Sequence, residues 1–149
     1  MRARSLVPSG AVAAGLAVAG VALAATHAVP NGHYIGKTTQ RQPVTIVVAG
    51  NGRKIASLKA AVSYDGLCGH GGGGPAFAIS ASNVPIVANG SFSATTLGKL
   101  NGAASLHMIV TGTFTGKTVN GTIAELHGHC APPKQVVNPY LTRFSAKPG

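Results

Sequence analysis

The chain has 149 residues, a length that fits one domain. Charged residues make up only 9% and tryptophan is absent, yet 45% of the residues are hydrophobic, which argues against a disordered chain and for a packed domain of short strands. Twelve Lys and Arg stand against two acids, Asp65 and Glu125, a balance that favours polyanions: anionic wall polymers, acidic polysaccharide, lipid headgroups or nucleic acid. Apart from Arg53-Lys54 the cations are scattered singly, with no aromatics interleaved, so specific nucleic-acid binding is not expected.

The N-terminus has the three-part layout of a secretory signal peptide. Arg2 and Arg4 open it, a run of small apolar residues extends from Ala11 to Ala25, and small-X-small sites follow at Ala22-Leu23-Ala24 and Thr26-His27-Ala28. The expected division is 1–28 as signal, cut after Ala24 or Ala28, and 29–149 as a single β domain. The run is too short and too poor in leucine for a membrane anchor, so no transmembrane segment is expected after its removal. Cleavage after Ala24 would expose Ala25-Thr26-His27, a terminus that can wrap Cu(II) or Ni(II) in a square plane. Loss of Arg2 and Arg4 leaves ten bases against two acids, a mature charge near +8.

Past the signal, Asn-Gly recurs at 31–32, 51–52, 89–90, 101–102 and 120–121. This dipeptide accepts positive φ at little cost and marks tight hairpin turns. Between these marks the strand patterns are His33–Thr39, Pro43–Ala49 and Lys54–Tyr64. In the third, Leu58, Ala60, Val62 and Tyr64 share one face, and Ile55 is out of phase, which predicts a bulge near the turn. Residues 65–75 form a glycine-rich loop, which lacks the Gly-Lys-Ser/Thr and the following helix of a phosphate-binding loop.

A fourth strand is predicted over Ala76–Ser82, a short fifth piece over Val84–Ala88 with Pro85 marking an edge, and another strand from Gly90-Ser91-Phe92-Ser93. Ala103–Thr115 is the longest pattern, with Leu106, Met108, Val110, Gly112 and Phe114 on one face. Thr118–His127 pairs back across a turn at Gly116-Lys117, and Tyr140–Ala146 is the last strand. Helical periodicity is absent after the signal. The expected fold is all-β: a single antiparallel β-barrel or β-sandwich of about eight strands with one disulfide. Tyr34, Tyr64, Phe77, Phe92, Phe114, Tyr140 and Phe144 fall in alternating patterns and are expected in the core. His33 and His107 are single strand histidines, expected to be structural or on the surface.

The chemistry-bearing residues gather around the two cysteines. Cys68 is followed by His70 and preceded by Asp65; Cys130 is preceded by Glu125, His127 and His129. In an oxidising compartment two cysteines pair, and closing this loop contributes about 4 kcal/mol on the chain-entropy model. A Cys2His2 zinc site is the rival reading, but the spacings match no zinc-finger pattern. His127 and His129 at i and i+2 on a strand share a face about 7 Å apart. With His70 brought close by the disulfide, and Glu125 of the same parity, they could hold Zn(II) or Cu(II). Asp65 and Glu125 could instead serve as the two carboxylates of a glycoside hydrolase, though its usual aromatic platform of Trp is missing. No Gly-X-Ser-X-Gly supports a serine nucleophile.

Several segments together resemble small secreted all-β proteins of high-GC Gram-positive bacteria that have no assigned activity. They are Gly32-His33-Tyr34-Ile35-Gly36-Lys37-Thr38-Thr39-Gln40 with Pro43-Val44, Cys68, Gly112-Thr113-Phe114-Thr115-Gly116, Asn120-Gly121-Thr122-Ile123, Cys130 and Phe144-Ser145-Ala146-Lys147. The resemblance implies an all-β domain with one disulfide and no reaction. Gly32-His33-Tyr34 also looks like the opening strand of avidin-type or lipocalin-type barrels, but without the tryptophan that strand carries no ligand is transferred.

The functional expectation is a secreted, non-enzymatic β-domain without a resident cofactor, binding an anionic envelope or extracellular partner such as a cell-wall polymer, or a small ligand. The alternatives are a metal-binding protein using His70, His127 and His129, then a small hydrolase using Asp65 and Glu125.

Overall fold

Alternation of apolar and polar residues decides this architecture. The structure is a computed structural model, and it describes residues 29–63, 76–100, 103–125 and 141–149. The strands are β1 (Gly32–Thr38), β2 (Pro43–Ala49), β3 (Lys54–Ser63), β4 (Ala76–Pro85), β5 (Ser91–Leu100), β6 (Ala103–Thr115), β7 (Thr118–Glu125) and β8 (Leu141–Pro148). Each pairs antiparallel with the next, and β8 returns to β1, so the sheet is a closed barrel rather than a sandwich. Closure leaves no free sheet edge at the first and last strands.

The period of two sends one set of side chains inward. Val44, Ile46 and Val48 of β2, and Leu106, Met108, Val110 and Phe114 of β6, are all buried. Of the seven aromatics expected in the core, Tyr34, Phe77, Phe92, Phe114 and Phe144 are buried there; Tyr64 and Tyr140 lie outside the described residues. The outward set is rich in Ser, Thr, Asn and Lys, the reverse of the apolar-out pattern of a lipid-spanning barrel. Among the described residues no helix is long and apolar enough to cross a membrane.

One row of the register explains how the wall curves tightly enough to close. Phe92 pairs with Gly112, Gly112 with Gly121, and Gly121 with Phe144. All four belong to the inward set, and the two rings lie over the two glycines. A Cβ on Gly112 would come within 2.7 Å of the Phe92 ring, and one on Gly121 would strike the Phe144 ring and the Thr111 carbonyl. Unlike an Asn-Gly turn, Asn120-Gly121 falls within the strand pattern Thr118–His127, as β7 bears out to Glu125. The dipeptide lies inside β7, because Gly121 is needed as space for an aromatic ring and Asn120 faces outward in register with Thr113 and Ser145.

A correction concerns Val84–Ala88, which is not a separate strand. β4 runs on to Pro85, with Asn83 at φ 54° kinking it and switching its phase, and the turn to β5 follows. The bulge expected near Ile55 is present: the β2–β3 register shifts between Val47 and Val48, where Ala56 is the extra residue.

One end of the barrel is closed by the segment that leads into β1. Val29 is buried, the Gly52 N–H donates to Asn31 Oδ1 at 2.8 Å, and the Tyr34 hydroxyl donates to the Pro30 carbonyl at 3.0 Å. The Tyr34 ring stands edge-on to Phe114, centroids 5.2 Å apart. Burial pushes the Tyr34 phenol above its usual pKa of 10.0.

Two outcomes are expected. Gly121→Ala should destabilise the fold by about 2 kcal/mol through overpacking, seen as a lower urea midpoint at unchanged slope. Because the folded phenol ionises later than the unfolded one, stability should be unaffected by Tyr34 below pH 10 and fall as pH rises past it. Tyr34→Phe should remove that part of the alkaline loss, measured by denaturation across the pH range.

Candidate functional site

An up-and-down barrel sends alternate connections to opposite ends. The strand ends Ser63 and Ala76, and Glu125 and Leu141, therefore lie at the same end, away from the Val29 plug. They flank the two segments that carry Asp65, Cys68 and His70, and His127, His129 and Cys130; these six residues lie outside the described residues. So do the signal segment and Ala25-Thr26-His27. Cys68 is five residues beyond Ser63 and Cys130 five beyond Glu125.

Of the sequence-predicted site residues, only Glu125 is described. It is 4% exposed, on the inward face of β7 opposite Met108. Its carboxyl belongs to a polar layer at this end, with buried Thr38 and Thr142. Thr38 Oγ1 accepts from the Gln42 N–H at 3.1 Å, and the Thr39 and Thr142 hydroxyls share a bond of 3.0 Å. Gln40 completes the rim by accepting from the Ser63 N–H at 2.7 Å. Among the described residues every buried side-chain nitrogen or oxygen has a partner. Nor do any three His, Cys, Asp or Glu among them gather as a metal site. His33 and His107 are exposed on the outer surface.

The outer wall of β1, β8 and β7 carries a site that residue-by-residue reading missed. Lys37, Ser145 and Asn120 share one register row; Arg143 and Thr122 share the next. All five are on the outward set, and with Thr39 they line a cleft of about 490 Å³ over Gly121 and Phe144. Strand geometry puts the Lys37 and Arg143 Cα atoms about 8 Å apart, close enough for both heads to reach one anion. Thr122 is held by a hydroxyl bond of 2.8 Å to Thr111. The only described acid, Glu125, points into the barrel, so among the described residues no carboxylate faces these cations.

Such a cleft has the chemistry of an anion receptor. Arg143 can give a bidentate fork, Lys37 a point charge, and the hydroxyls and the Asn120 amide can donate to remaining oxygens. Comparison with known protein families, with curated proteins and with solved structures gives no match to this chain.

If the cysteines pair as the sequence suggests, the purified exported protein should show no reactive thiol under denaturing conditions until reduced. Two titratable thiols in the unreduced protein would remove the disulfide, and with it the means of joining His70 to His127 and His129.

Proposed function

We propose that this protein is a secreted, non-catalytic β-barrel that holds an anionic envelope or extracellular polymer on its β1–β8–β7 face. The observation that carries this reading is the convergence of Lys37 and Arg143 on one hydroxyl-lined cleft that no carboxylate among the described residues faces. The composition supports the same partner, because the ten bases and two acids left after the signal attract polyanions. Lys147 adds a third outward cation on β8, four residues from Arg143 and in register with Ile35. A stripe of this kind suits a linear polymer with repeated negative charges better than a single small anion. Secretion rests on the layout of residues 1–28, and a wall polymer is the polyanion such a protein would meet first.

The test is binding of polyphosphate or wall teichoic acid to the mature protein across a salt series. Lys37→Ala and Arg143→Ala should each weaken binding about tenfold at low salt, and the double variant should flatten the salt dependence. Arg53→Ala with Lys54→Ala, at the far end of the barrel, should change affinity little. Equal losses from both pairs would reduce the interaction to net charge and remove the site.

A further inference from the structure

The opposite wall of the barrel carries a second cleft of a different kind. Every other neighbouring pair of strands is joined by a ladder of five or more register pairs, but among the described residues β4 and β5 share only Ala78↔Lys99. The seam is held again at its far end, where the Val87 N–H donates to the Ser91 carbonyl at 2.9 Å. Between these ties the two strands stay neighbours, but no further register pair joins their described residues. The carbonyl of Ser80 accepts from the Thr96 hydroxyl at 2.5 Å, a side-chain tie across the seam.

Two irregularities frame the gap. Asn83 takes the left-handed conformation inside β4, which bends the strand, and the β5–β6 register shifts between Gly98 and Lys99. A left-handed non-glycine residue inside a strand is disfavoured, and such residues gather at sites of function. Pro85, which closes β4, has no N–H to offer β5. The result is an open, shallow slit of about 460 Å³ on the outer wall.

Its lining identifies the class of ligand. Ser57, Ser82, Asn83, Ser93, Thr95 and Thr96 supply groups that both donate and accept hydrogen bonds. Ala81, Val84, Pro85 and Ala94 supply methyl and methylene surface between them. Among the described residues, none that lines it is charged. A charged ligand would lose water here without gaining a counter-charge, whereas a neutral polyol would exchange water for equivalent bonds. An added peptide strand would have to force β4 and β5 apart by about another 4.8 Å, against ties at both ends of the seam. A sugar, with hydroxyls around its edge and C–H groups on its faces, needs no such opening.

We propose that the β4–β5 slit binds a neutral saccharide of one to a few rings. The site is separate from the cationic cleft, and the two are told apart by salt: sugar binding here is insensitive to ionic strength. The experiment uses the isotope-labelled mature protein, titrated with cellobiose and with diacetylchitobiose while backbone amide shifts are followed. The expected result is saturable shifts confined to β3, β4 and β5 around Ser82 and Thr95, unchanged in high salt and unchanged by Lys37→Ala. Ser82→Ala and Thr95→Val, both at exposed positions, should together weaken the response about tenfold while the rest of the spectrum keeps its dispersion. Ser82→Ala alone gives the same test with the least disturbance to the strand. Absence of shifts at millimolar sugar, shifts elsewhere on the barrel, or shifts that survive these variants would each overturn the proposal. So would a stronger response at the slit to a uronic-acid oligomer or to a neutral tripeptide than to either sugar.

Discussion

The pairing of β8 with β1 is the contact on which the rest depends. It turns an eight-stranded meander into a ring, and it is made between strands more than a hundred residues apart in sequence. Gly36 makes it close: a Cβ there would collide with the Ser145 carbonyl and with Ala146. The same ladder sets Lys37 beside Ser145, and so creates the cationic cleft. Fold and proposed site therefore share one cause. A substitution that loosens β8 should be felt at both, because the two cations lie on opposite sides of that joint.

The ring is not uniform. On the side of β5 to β8 the wall is continuous, drawn in by the row of two rings and two glycines, and tied outside by threonine pairs such as Thr111 and Thr122. Across the barrel, β4 and β5 are barely laddered. There the Ser80 carbonyl is met by a side chain, the Thr96 hydroxyl. A closed barrel confines such an irregularity, since the other seams keep the two strands in place. An open sheet with the same gap would present two long edges to any passing strand.

Much of the framework was legible in residue order. Pro43–Ala49 is β2 as the pattern predicts, and the β6 faces follow the alternation of Leu106 to Phe114, because burial on one side of a pleat imposes period two. Asn51-Gly52 and Asn89-Gly90 do form turns, whereas Asn120-Gly121 does not. The dipeptide is the same in all three; what differs is a partner on another strand, Phe144, that needs the glycine's empty side. The Lys37–Arg143 site was illegible for a related reason. Both cations stand alone in sequence, and only the closure of β8 on β1 makes them neighbours. The β4–β5 slit was hinted at by Pro85, but whether a proline ends a strand or sits inside one depends on the register with β3. The histidine and cysteine cluster is in the opposite position: clear in sequence, and borne by segments outside the described residues, with Glu125 alone seen at its root.

The filled interior decides where function can reside. Barrels of eight strands either pack their centre with side chains or hold one small ligand there. Here Phe92 leans on Phe114 with centroids 5.8 Å apart, Phe114 meets Tyr34 edge-on, and Val29 stops the lower end. At the upper end the inward groups turn polar, with Thr38 bonded to the Gln42 N–H and Thr142 to the Thr39 hydroxyl. An interior so occupied can admit a ligand only by giving up aromatic packing that the closure itself relies on. Both proposed recognition sites accordingly lie on the outside of the wall. There a barrel offers two kinds of surface: rows of side chains set by register, which suit a repeating charged polymer, and a break in the ladder, which suits a compact neutral one.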